Sequence, residues 1–139
     1  MPILTITSRV NSDPGAYNLI KLSEFEDANS RVSVPMYKKK RYAVISGRVH
    51  PGETPSSFMM QGFLKCLTGE SHPAVQLRKR IVFKIVPMLN PDGVVVGNYR
   101  TSMAGNDLNR KFDDPDYRLH PTVWNIKSMT EAITSAYVK

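Results

Sequence analysis

The sequence is poor in cysteine and in acidic residues, and it has no long apolar segment. Its single cysteine, Cys66, has no partner for an internal disulfide, which is typical of proteins from a reducing compartment. No run of about eighteen consecutive apolar residues is present, which excludes a membrane-spanning helix. The start, Met1 to Thr7, lacks both a basic stretch and a long apolar core, so it does not resemble a signal peptide. These absences favour a cytoplasmic protein.

The shortage of acidic residues leaves the chain strongly basic. The 19 Lys and Arg residues outnumber the 12 Asp and Glu residues, which gives a net charge of +7. Part of the excess lies in two clusters, Lys38–Arg41 and Arg78–Arg80. The clusters could be solvated segments beside strands, or they could attract a polyanion. Because no nucleic-acid motif or basic-aromatic stacking surface is recognisable, an acidic peptide is a better candidate partner than nucleic acid.

The hydrophobic residues, 41% of the 139, are enough for the core of one globular domain. Apolar residues three and four positions apart indicate helices, and alternating or continuous β-rich runs indicate strands. In the first helix we expect Thr54 to be the cap and Cys66 to be a buried structural thiol. The predicted elements are strands at residues 2–7, 42–49 and 81–87 and helices at residues 55–67, 73–79 and 121–137.

The order of these elements predicts an α/β fold, with a mixed, mainly parallel sheet covered by helices. Two segments fall outside this pattern. Residues 8–40 are predicted to be mostly a loop insertion. Residues 90–116 are rich in turn signals, and so long an irregular stretch in a compact domain is typical of a functional segment or of disorder.

A histidine and a carboxylate stand three residues apart directly after the second predicted strand. They are His50 and Glu53, and Pro51-Gly52 between them forces a turn. An imidazole nitrogen and a carboxylate oxygen on such a turn can converge on one Zn²⁺. Open α/β sheets hold their ligands at the carboxyl ends of strands, which is where this pair lies. Alone, the spacing is a weak signal, because most such pairs arise by chance.

Three further motifs follow this pair in order. Together the four motifs resemble those of the zinc metallocarboxypeptidases, and within them the cytosolic carboxypeptidases, which trim glutamates from tubulin and other proteins. The resemblance covers about residues 42–130 and implies a zinc carboxypeptidase-like fold, with residues 1–139 as the N-terminal part of the catalytic domain. The motifs are His50-Pro51-Gly52-Glu53, Phe83-Lys84-Ile85-Val86-Pro87-Met88-Leu89-Asn90-Pro91-Asp92-Gly93, Gly97-Asn98-Tyr99-Arg100 and Asp107-Leu108-Asn109-Arg110.

The resemblance also implies a role for each matching residue. His50 and Glu53 resemble the first two zinc ligands, and Arg100 resembles the arginine that polarises the scissile carbonyl and stabilises the oxyanion. Asn109 and Arg110 resemble the pair that binds the terminal carboxylate of the substrate. Physical chemistry agrees, because a planar guanidinium can bind a carboxylate through two hydrogen bonds and zinc lowers the pKa of a bound water. Taken singly, each of these residues would more often be an ordinary loop residue.

Some parts that the family needs are missing from the sequence. A catalytic zinc of this type takes three protein ligands. In the family the third ligand, a histidine, and the carboxylate that acts as general base lie beyond the position of Lys139. We therefore expect an incomplete half of a domain that is inactive alone. Its open sheet edge should be covered by the missing half or by partner chains.

Three functional hypotheses follow. The first is a fragment of a hydrolase, a zinc metallocarboxypeptidase that removes C-terminal glutamates from proteins such as polyglutamylated tubulin, in the cytoplasm and near microtubules or cilia. The second is a non-catalytic relic that serves as a structural or interaction subunit. The third is a basic module that binds acidic protein tails without chemistry. Binding that survives loss of Asn109 and Arg110 but weakens with salt would favour the third.

Overall fold

The structure is a computed structural model that describes residues 3–8, 17–21, 33–37 and 40–137. In these residues, four strands come first, followed by two helices, a fifth strand and two more helices, and a short 3₁₀ turn, Leu108–Arg110, precedes the last helix. The strands are β1 (Leu4–Ile6), β2 (Tyr17–Lys21), β3 (Ser33–Tyr37), β4 (Arg41–Ser46) and β5 (Ile81–Val86), and the helices are α1 (Thr54–Thr68), α2 (His72–Arg80), α3 (Pro91–Val96) and α4 (Pro121–Tyr137).

Three strands form a mixed sheet in the order β1-β5-β4. β4 runs parallel to β5, with Arg41 opposite Ile81 and Ser46 opposite Val86. β1 is antiparallel to β5, with Leu4 opposite Ile85. The predicted α/β fold with a mixed sheet is therefore confirmed. β5 is the central strand, as its continuous apolar run predicted, and the parallel register places the carboxyl ends of β4 and β5 at one edge.

The strands β2 and β3 lie inside the segment that was predicted to be mostly loop. They form an antiparallel pair, with Tyr17 opposite Tyr37 and Leu19 opposite Pro35. The loop prediction is therefore wrong for these two stretches, and the rest of residues 8–39 lies outside the described residues apart from Ser8. Proline disfavours a strand because it cannot donate a ladder hydrogen bond, but in a two-stranded ribbon each strand has an open edge where a residue such as Pro35 is tolerated.

Helices cover both faces of the three-stranded sheet. α1 lies on one face, where the rings of Phe63 and Phe83 meet edge to face with centroids 6.1 Å apart. α4 lies on the opposite face, where Met129 and Ile133 pack with Val44. Alternate residues of β4 serve the two faces, as strand geometry requires. In the part of the chain that the structure describes, no helix has the length and hydropathy needed to cross a bilayer.

The first helix differs from its prediction at both ends. α1 begins at Thr54, so Glu53 and not Thr54 occupies the cap position, and Glu53 makes no capping hydrogen bond with its side chain. Near the other end Cys66 is exposed, whereas Leu67 is buried. Successive helical residues point about 100° apart, so only one of these two neighbours can face the sheet. The prediction that Cys66 is buried is wrong for this reason.

The two basic clusters are partly used inside the fold. Lys40 is buried, and its Nζ donates to the backbone oxygens of Ser8 (2.7 Å) and Arg78 (2.9 Å). Arg78 in turn donates to the backbone oxygen of Gly69 (2.7 Å), just after α1. Each cluster therefore contributes one cation to internal hydrogen bonds. The net charge of +7 overstates how basic the surface is.

A second lysine is buried at the centre of the sheet. Lys84 lies on β5 between Val82 and Val86 on the same face, and only 3% of it is exposed. Its Nζ donates to the Thr5 hydroxyl at 2.9 Å. Burial lowers the pKa of the Lys84 amine, because the charged form loses its hydration.

We expect Lys84→Met to raise the melting temperature at pH 7, with a gain on the order of 1 kcal/mol in unfolding free energy. Burying the ammonium is unfavourable while the amine is charged, that is, below its lowered pKa in the folded protein. As the pH rises from there toward the ordinary value of 10.5, the folded lysine loses its proton first and the penalty fades. Thermal unfolding from pH 6 to 10 should show the advantage of the variant shrinking, whereas exposed Lys65→Met should change little. An advantage independent of pH would contradict the assignment.

Candidate active site

The loop after β4 and the loop after β5 are joined by backbone hydrogen bonds. Gly47 N–H donates to Val86 O (3.0 Å), and Leu89 N–H donates to Gly47 O (2.8 Å). One residue later Asn90 N–H donates to Arg48 O (3.2 Å). The parallel pairing thus continues past the ends of both strands. It brings the turn that carries His50 against the start of α3.

Asn90 is the polar residue that fixes this junction. It is 1% exposed, and its side-chain amide donates to Val49 O (3.2 Å) while its carbonyl oxygen accepts from Gly93 N–H (3.0 Å). The motif that begins at Asn90 is therefore the capped start of α3 and not a simple turn. A Cβ at Gly93 would lie 2.5 Å from Pro51 Cγ. Only glycine lets α3 approach the His50–Glu53 turn so closely.

The turn itself is compact. Glu53 N–H donates to His50 O (3.2 Å), and Gly52 N–H donates to Tyr99 O (2.7 Å). A Cβ at Gly52 would lie 2.4 Å from the Tyr99 ring, so this position also requires glycine. The His50 side chain is 9% exposed, whereas that of Glu53 is 52% exposed. The turn therefore holds a buried imidazole beside an open carboxylate.

His50 lies between two carboxylates. Its Nδ1 is 2.8 Å from Glu53 Oε1, and its Nε2 is 3.1 Å from Asp107 Oδ1. Asp107 was not predicted as a site residue, although it begins the last of the four motifs. An ionised carboxylate can only accept hydrogen bonds, so Asp107 favours the His50 tautomer with a proton on Nε2, and Glu53 favours the tautomer with a proton on Nδ1. The Nε2 tautomer is the one in which metal-binding histidines are usually oriented, with the second ring nitrogen donating to a carboxylate.

The Nε2 tautomer makes the contact between His50 and Glu53 informative. With the proton on Nε2, neutral His50 presents a lone pair at Nδ1, and Glu53 presents an anionic oxygen to the same gap. Two acceptors 2.8 Å apart repel each other unless a proton or a metal cation lies between them. A nitrogen and a carboxylate oxygen are ligands that zinc commonly takes. His50 Nδ1 and Glu53 Oε1 are therefore suitable as two ligands of a zinc ion.

The set is not complete within the described residues. There, no group of three or more His, Cys, Asp or Glu side chains is placed to hold a metal ion. Asp107 belongs to the site through the second ring nitrogen of His50 and not as a third member of such a group. His50 and Glu53 would thus be two of the three protein ligands that a catalytic zinc needs.

Asp107 joins His50 to the predicted arginine. Arg100 donates to Asp107 Oδ2 through both Nε and Nη2, each at 2.8 Å, and Asn109 N–H donates to Oδ1 at 2.9 Å. Partial burial raises the pKa of the Asp107 carboxyl, but the hydrogen bonds from Asn109, Arg100 and His50 and the charge of Arg100 outweigh burial, so its pKa lies below the usual range. Asp107 is therefore ionised at neutral pH and holds both neighbours.

The last two predicted residues lie on the 3₁₀ turn. Leu108 is buried and packs in a cluster with Leu89 and Val123, whereas Asn109 and Arg110 are exposed. Arg110 Nη1 donates to Asn109 O at 3.3 Å. The turn is thus held from below by Leu108 and presents two polar side chains outward.

The structure therefore assembles most of the predicted site. His50, Glu53 and Arg100 belong to one network through Asp107, and Asn109 joins it through its backbone amide. Arg110 is adjacent in sequence but makes no recorded contact with the other predicted side chains. The arrangement is that of an α/β protein with a candidate metal site at the carboxyl edge of its sheet.

Comparison with known proteins identifies the family. The profile of the zinc carboxypeptidases, peptidase family M14, matches residues 3–133. The chain belongs to the zinc carboxypeptidase family. It is 41% identical to cytosolic carboxypeptidase 1 of Xenopus laevis over 117 residues, which cover 84% of the chain and 10% of that protein. It is 51% identical to cytosolic carboxypeptidase 3 of Bos taurus over 92 residues, which cover 66% of the chain and 9% of that protein.

Solved structures agree on the fold. A metallo-carboxypeptidase from Burkholderia cenocepacia aligns with a TM-score of 0.65 and 33% identity, covering 86% of this chain and 34% of the other. A metallo-carboxypeptidase from Pseudomonas aeruginosa, solved with (2-guanidinoethylmercapto)succinic acid, aligns with a TM-score of 0.63 and 31% identity, covering 67% and 25%. The chain spans about a tenth of the curated relatives and about a third of the first of these structures.

We expect Asp107→Asn to weaken zinc binding by about 10–100-fold. The amide can donate as well as accept, so it no longer requires the His50 tautomer that leaves Nδ1 free for a metal. Competition with a chromogenic chelator measures the change. Asp116→Asn is the matched control, because the Asp116 carboxylate accepts backbone N–H groups from Arg118 and Leu119, much as Asp107 accepts one from Asn109, without contacting His50. Equal zinc affinity in Asp107→Asn and the wild type would contradict this role.

Proposed function

We propose that residues 1–139 form the front part of the catalytic domain of a zinc metallocarboxypeptidase that removes C-terminal glutamates from acidic protein tails. The observation that carries the proposal is the pair of possible metal-ligand atoms, His50 Nδ1 and Glu53 Oε1, which lie 2.8 Å apart. Asp107 contacts the other nitrogen of the His50 ring. The proposal rests equally on membership of the zinc carboxypeptidase family. His50 and Glu53 would hold the zinc, which when bound polarises a carbonyl and lowers the pKa of a water.

In this proposal Arg100 stabilises the charge that develops on the scissile carbonyl oxygen. Its two hydrogen bonds to Asp107 fix the guanidinium, yet 45% of its side chain remains exposed. A cation that is already held in place needs no rearrangement as negative charge appears, and this preorganisation is the usual source of such stabilisation. Arg100 would therefore contribute mainly to turnover.

Asn109 and Arg110 are proposed to bind the terminal carboxylate of the substrate. Both are exposed on a turn whose position is fixed by buried Leu108 and by Asp107. The Arg110 guanidinium is recorded with one hydrogen bond, to a backbone carbonyl, so it keeps donors for a carboxylate. Two parallel hydrogen bonds from a guanidinium to a carboxylate give both strength and orientation.

The proposed substrate is a protein tail that ends in glutamate, with polyglutamylated tubulin as the leading candidate. The similarity to cytosolic carboxypeptidases supports this choice. The net charge of +7 supports it more weakly, because Lys40 and Arg78 are engaged inside the fold. A basic surface speeds the encounter with an acidic tail but does not choose the residue that is cleaved. We place the enzyme in the cytoplasm, near microtubules or cilia.

We also propose that the chain alone is inactive and needs further polypeptide. The third zinc ligand and the general base would come from that polypeptide, either the other half of the domain or partner chains. An apolar groove beside β4 supports this proposal. Met59 of α1 lines the groove and is largely exposed, and its sequence neighbour Phe58 is largely exposed as well. Exposed apolar side chains next to an open strand edge are favourable places for another strand or helix to pack.

A second candidate function is binding without catalysis. The observation that favours it is the lack of a third metal-binding side chain among the residues that the structure describes. A non-catalytic relic or a basic interaction subunit would still bind acidic tails. Its binding would survive the loss of Asn109 and Arg110 and would fall steeply with salt, whereas a carboxypeptidase pocket would lose affinity when these residues are replaced.

Arginine replacements in the complete enzyme should separate the two proposed roles. We expect Arg110→Ala to raise KM for C-terminal substrates, because the terminal carboxylate loses a charge-assisted partner. Arg100→Ala should instead lower kcat by about 100-fold or more. Steady-state kinetics measures both effects. Arg118→Ala is the control, because Arg118 is an exposed arginine whose recorded side-chain partner is Tyr117. Equal losses of kcat and of substrate affinity in both variants would contradict the division.

The substrate proposal predicts the outcome of a peptide panel. We expect peptides ending in Glu to have higher kcat/KM than otherwise identical peptides ending in Lys, Leu or Phe, at low and at moderate salt. A preference for Lys or for large apolar ends would refute the proposal. A preference for Glu that disappears at moderate salt would show that long-range attraction, and not a pocket, made the choice.

A further inference from the structure

Arg48 has a backbone conformation that arginine rarely adopts. Its φ is 56°, and in the described part of the chain it is the one non-glycine residue with a positive φ. The left-handed region is unfavourable for residues with a Cβ, and such strain persists only where the surroundings hold it. Arg48 lies two residues before His50, in the loop that follows β4. The strained residue therefore introduces the turn that carries the proposed zinc ligands.

The side chain of Arg48 folds over that turn. Its Nε donates to Pro51 O at 2.8 Å, and its Nη1 donates to the Ser57 hydroxyl at 2.7 Å. Its Nη2 lies 3.4 Å from the Thr54 hydroxyl. Pro51 stands between His50 and Glu53 in the chain, and the two hydroxyl groups belong to the first turn of α1. One planar guanidinium thus ties the middle of the ligand turn to the helix that follows it.

The backbone of Arg48 is held as well. Its N–H donates to the Ser56 hydroxyl (2.8 Å), and its carbonyl oxygen accepts from Asn90 N–H (3.2 Å). Arg48 therefore contacts α1 through two different groups and the loop after β5 through a third. These bonds supply the surroundings that keep φ at 56°. They also place the ligand turn relative to both of its neighbours.

The charge of Arg48 is not used for an ion pair. The three ion pairs recorded in the described residues link His50 with Glu53, His50 with Asp107, and Arg100 with Asp107. The donors of Arg48 go to neutral oxygens, so the Glu53 carboxylate is not neutralised by it. The contribution of this residue is geometric, and it leaves Glu53 available to a cation.

We propose that Arg48 is a positioning residue. By fixing the turn between His50 and Glu53, it sets the distance between their two zinc-binding atoms, His50 Nδ1 and Glu53 Oε1. The inference deepens the proposed function, since it takes zinc as the ion that His50 and Glu53 hold. Lysine cannot substitute fully, because one ammonium group cannot reach three acceptors in a plane. Glycine at this position accepts the backbone conformation but removes the side-chain hydrogen bonds. Alanine removes the same side-chain hydrogen bonds and keeps the backbone strain.

The test uses the full-length enzyme and measures zinc affinity by chelator competition. We expect Arg48→Ala and Arg48→Gly to weaken zinc binding by about 10–100-fold, the range typical for residues that orient metal ligands. Arg48→Lys should lie between these and the wild type. The effect of Ser57→Ala should largely vanish when combined with Arg48→Ala, because both remove the same hydrogen bond. Exposed Arg41→Ala, at the start of β4, is the matched control.

A second measurement separates positioning from stability. The d–d absorption spectrum of the cobalt-substituted enzyme reports ligand geometry, and we expect it to shift in Arg48→Ala but not in Arg41→Ala. A lower melting temperature with unchanged zinc affinity and an unchanged cobalt spectrum would overturn the inference. A raised KM with unchanged zinc affinity would also overturn it, by showing a direct contact with substrate. A wild type that bound no zinc would overturn the proposed function as well, which distinguishes the two failures.

Discussion

The parallel pairing of β4 with β5 is the constraint on which the site depends. It continues beyond the strands through the hydrogen bonds of Gly47 with Val86 and Leu89, so the two loops leave the sheet side by side. One loop carries His50 and Glu53, and the other begins with the buried cap Asn90. If the pairing ended at Ser46, no backbone hydrogen bonds would join these two loops. Here the backbone hydrogen bonds set the distance between the loops without help from side chains.

A single carboxylate then organises the polar groups. Asp107 accepts hydrogen bonds from His50, from Arg100 and from the Asn109 amide, which come from three different segments of the chain. Each partner lowers the free energy of the ionised form, and the ionised form in turn orients the imidazole ring and the guanidinium plane. The proposed metal ligand and the proposed oxyanion-stabilising residue are thus oriented by the same group.

The sequence predicted the regular elements better than the connections between them. The helices α1 and α4 were predicted because burial of one face imposes a period on their apolar residues, and the central strand β5 was predicted because burial of both faces makes its apolar run nearly continuous. The strands β2 and β3 were missed, since both are short, β3 contains Pro35, and the two pair with one another. Of the site, His50, Glu53 and Arg100 were predicted and are brought together, but Asp107 was not. Its role depends on a contact across 57 positions, which no local pattern records.

The cations that are bound inside the fold show the same limit of prediction from sequence. Lys40 and Arg78 lie in clusters that could be solvated segments or attract a polyanion, yet both bind backbone oxygens inside the fold. A charge run on its own does not reveal which of its members has an internal acceptor within reach, because the acceptors come from other segments. The sequence shows the chemical type of each residue, but it does not show which group in the fold accepts its hydrogen bonds.

The two glycines of the site limit how such a protein can diverge. At Gly52 and Gly93 even one added carbon would meet atoms at 2.4 and 2.5 Å, so a replacement disturbs the backbone of the turn and of α3 together. Glu53, Asn109 and Arg110 are exposed, and replacing them disturbs no packing. A lineage can therefore lose one of these proposed ligand residues in a single step while keeping the fold, whereas it cannot easily change the backbone of the turn and keep the rest of the domain.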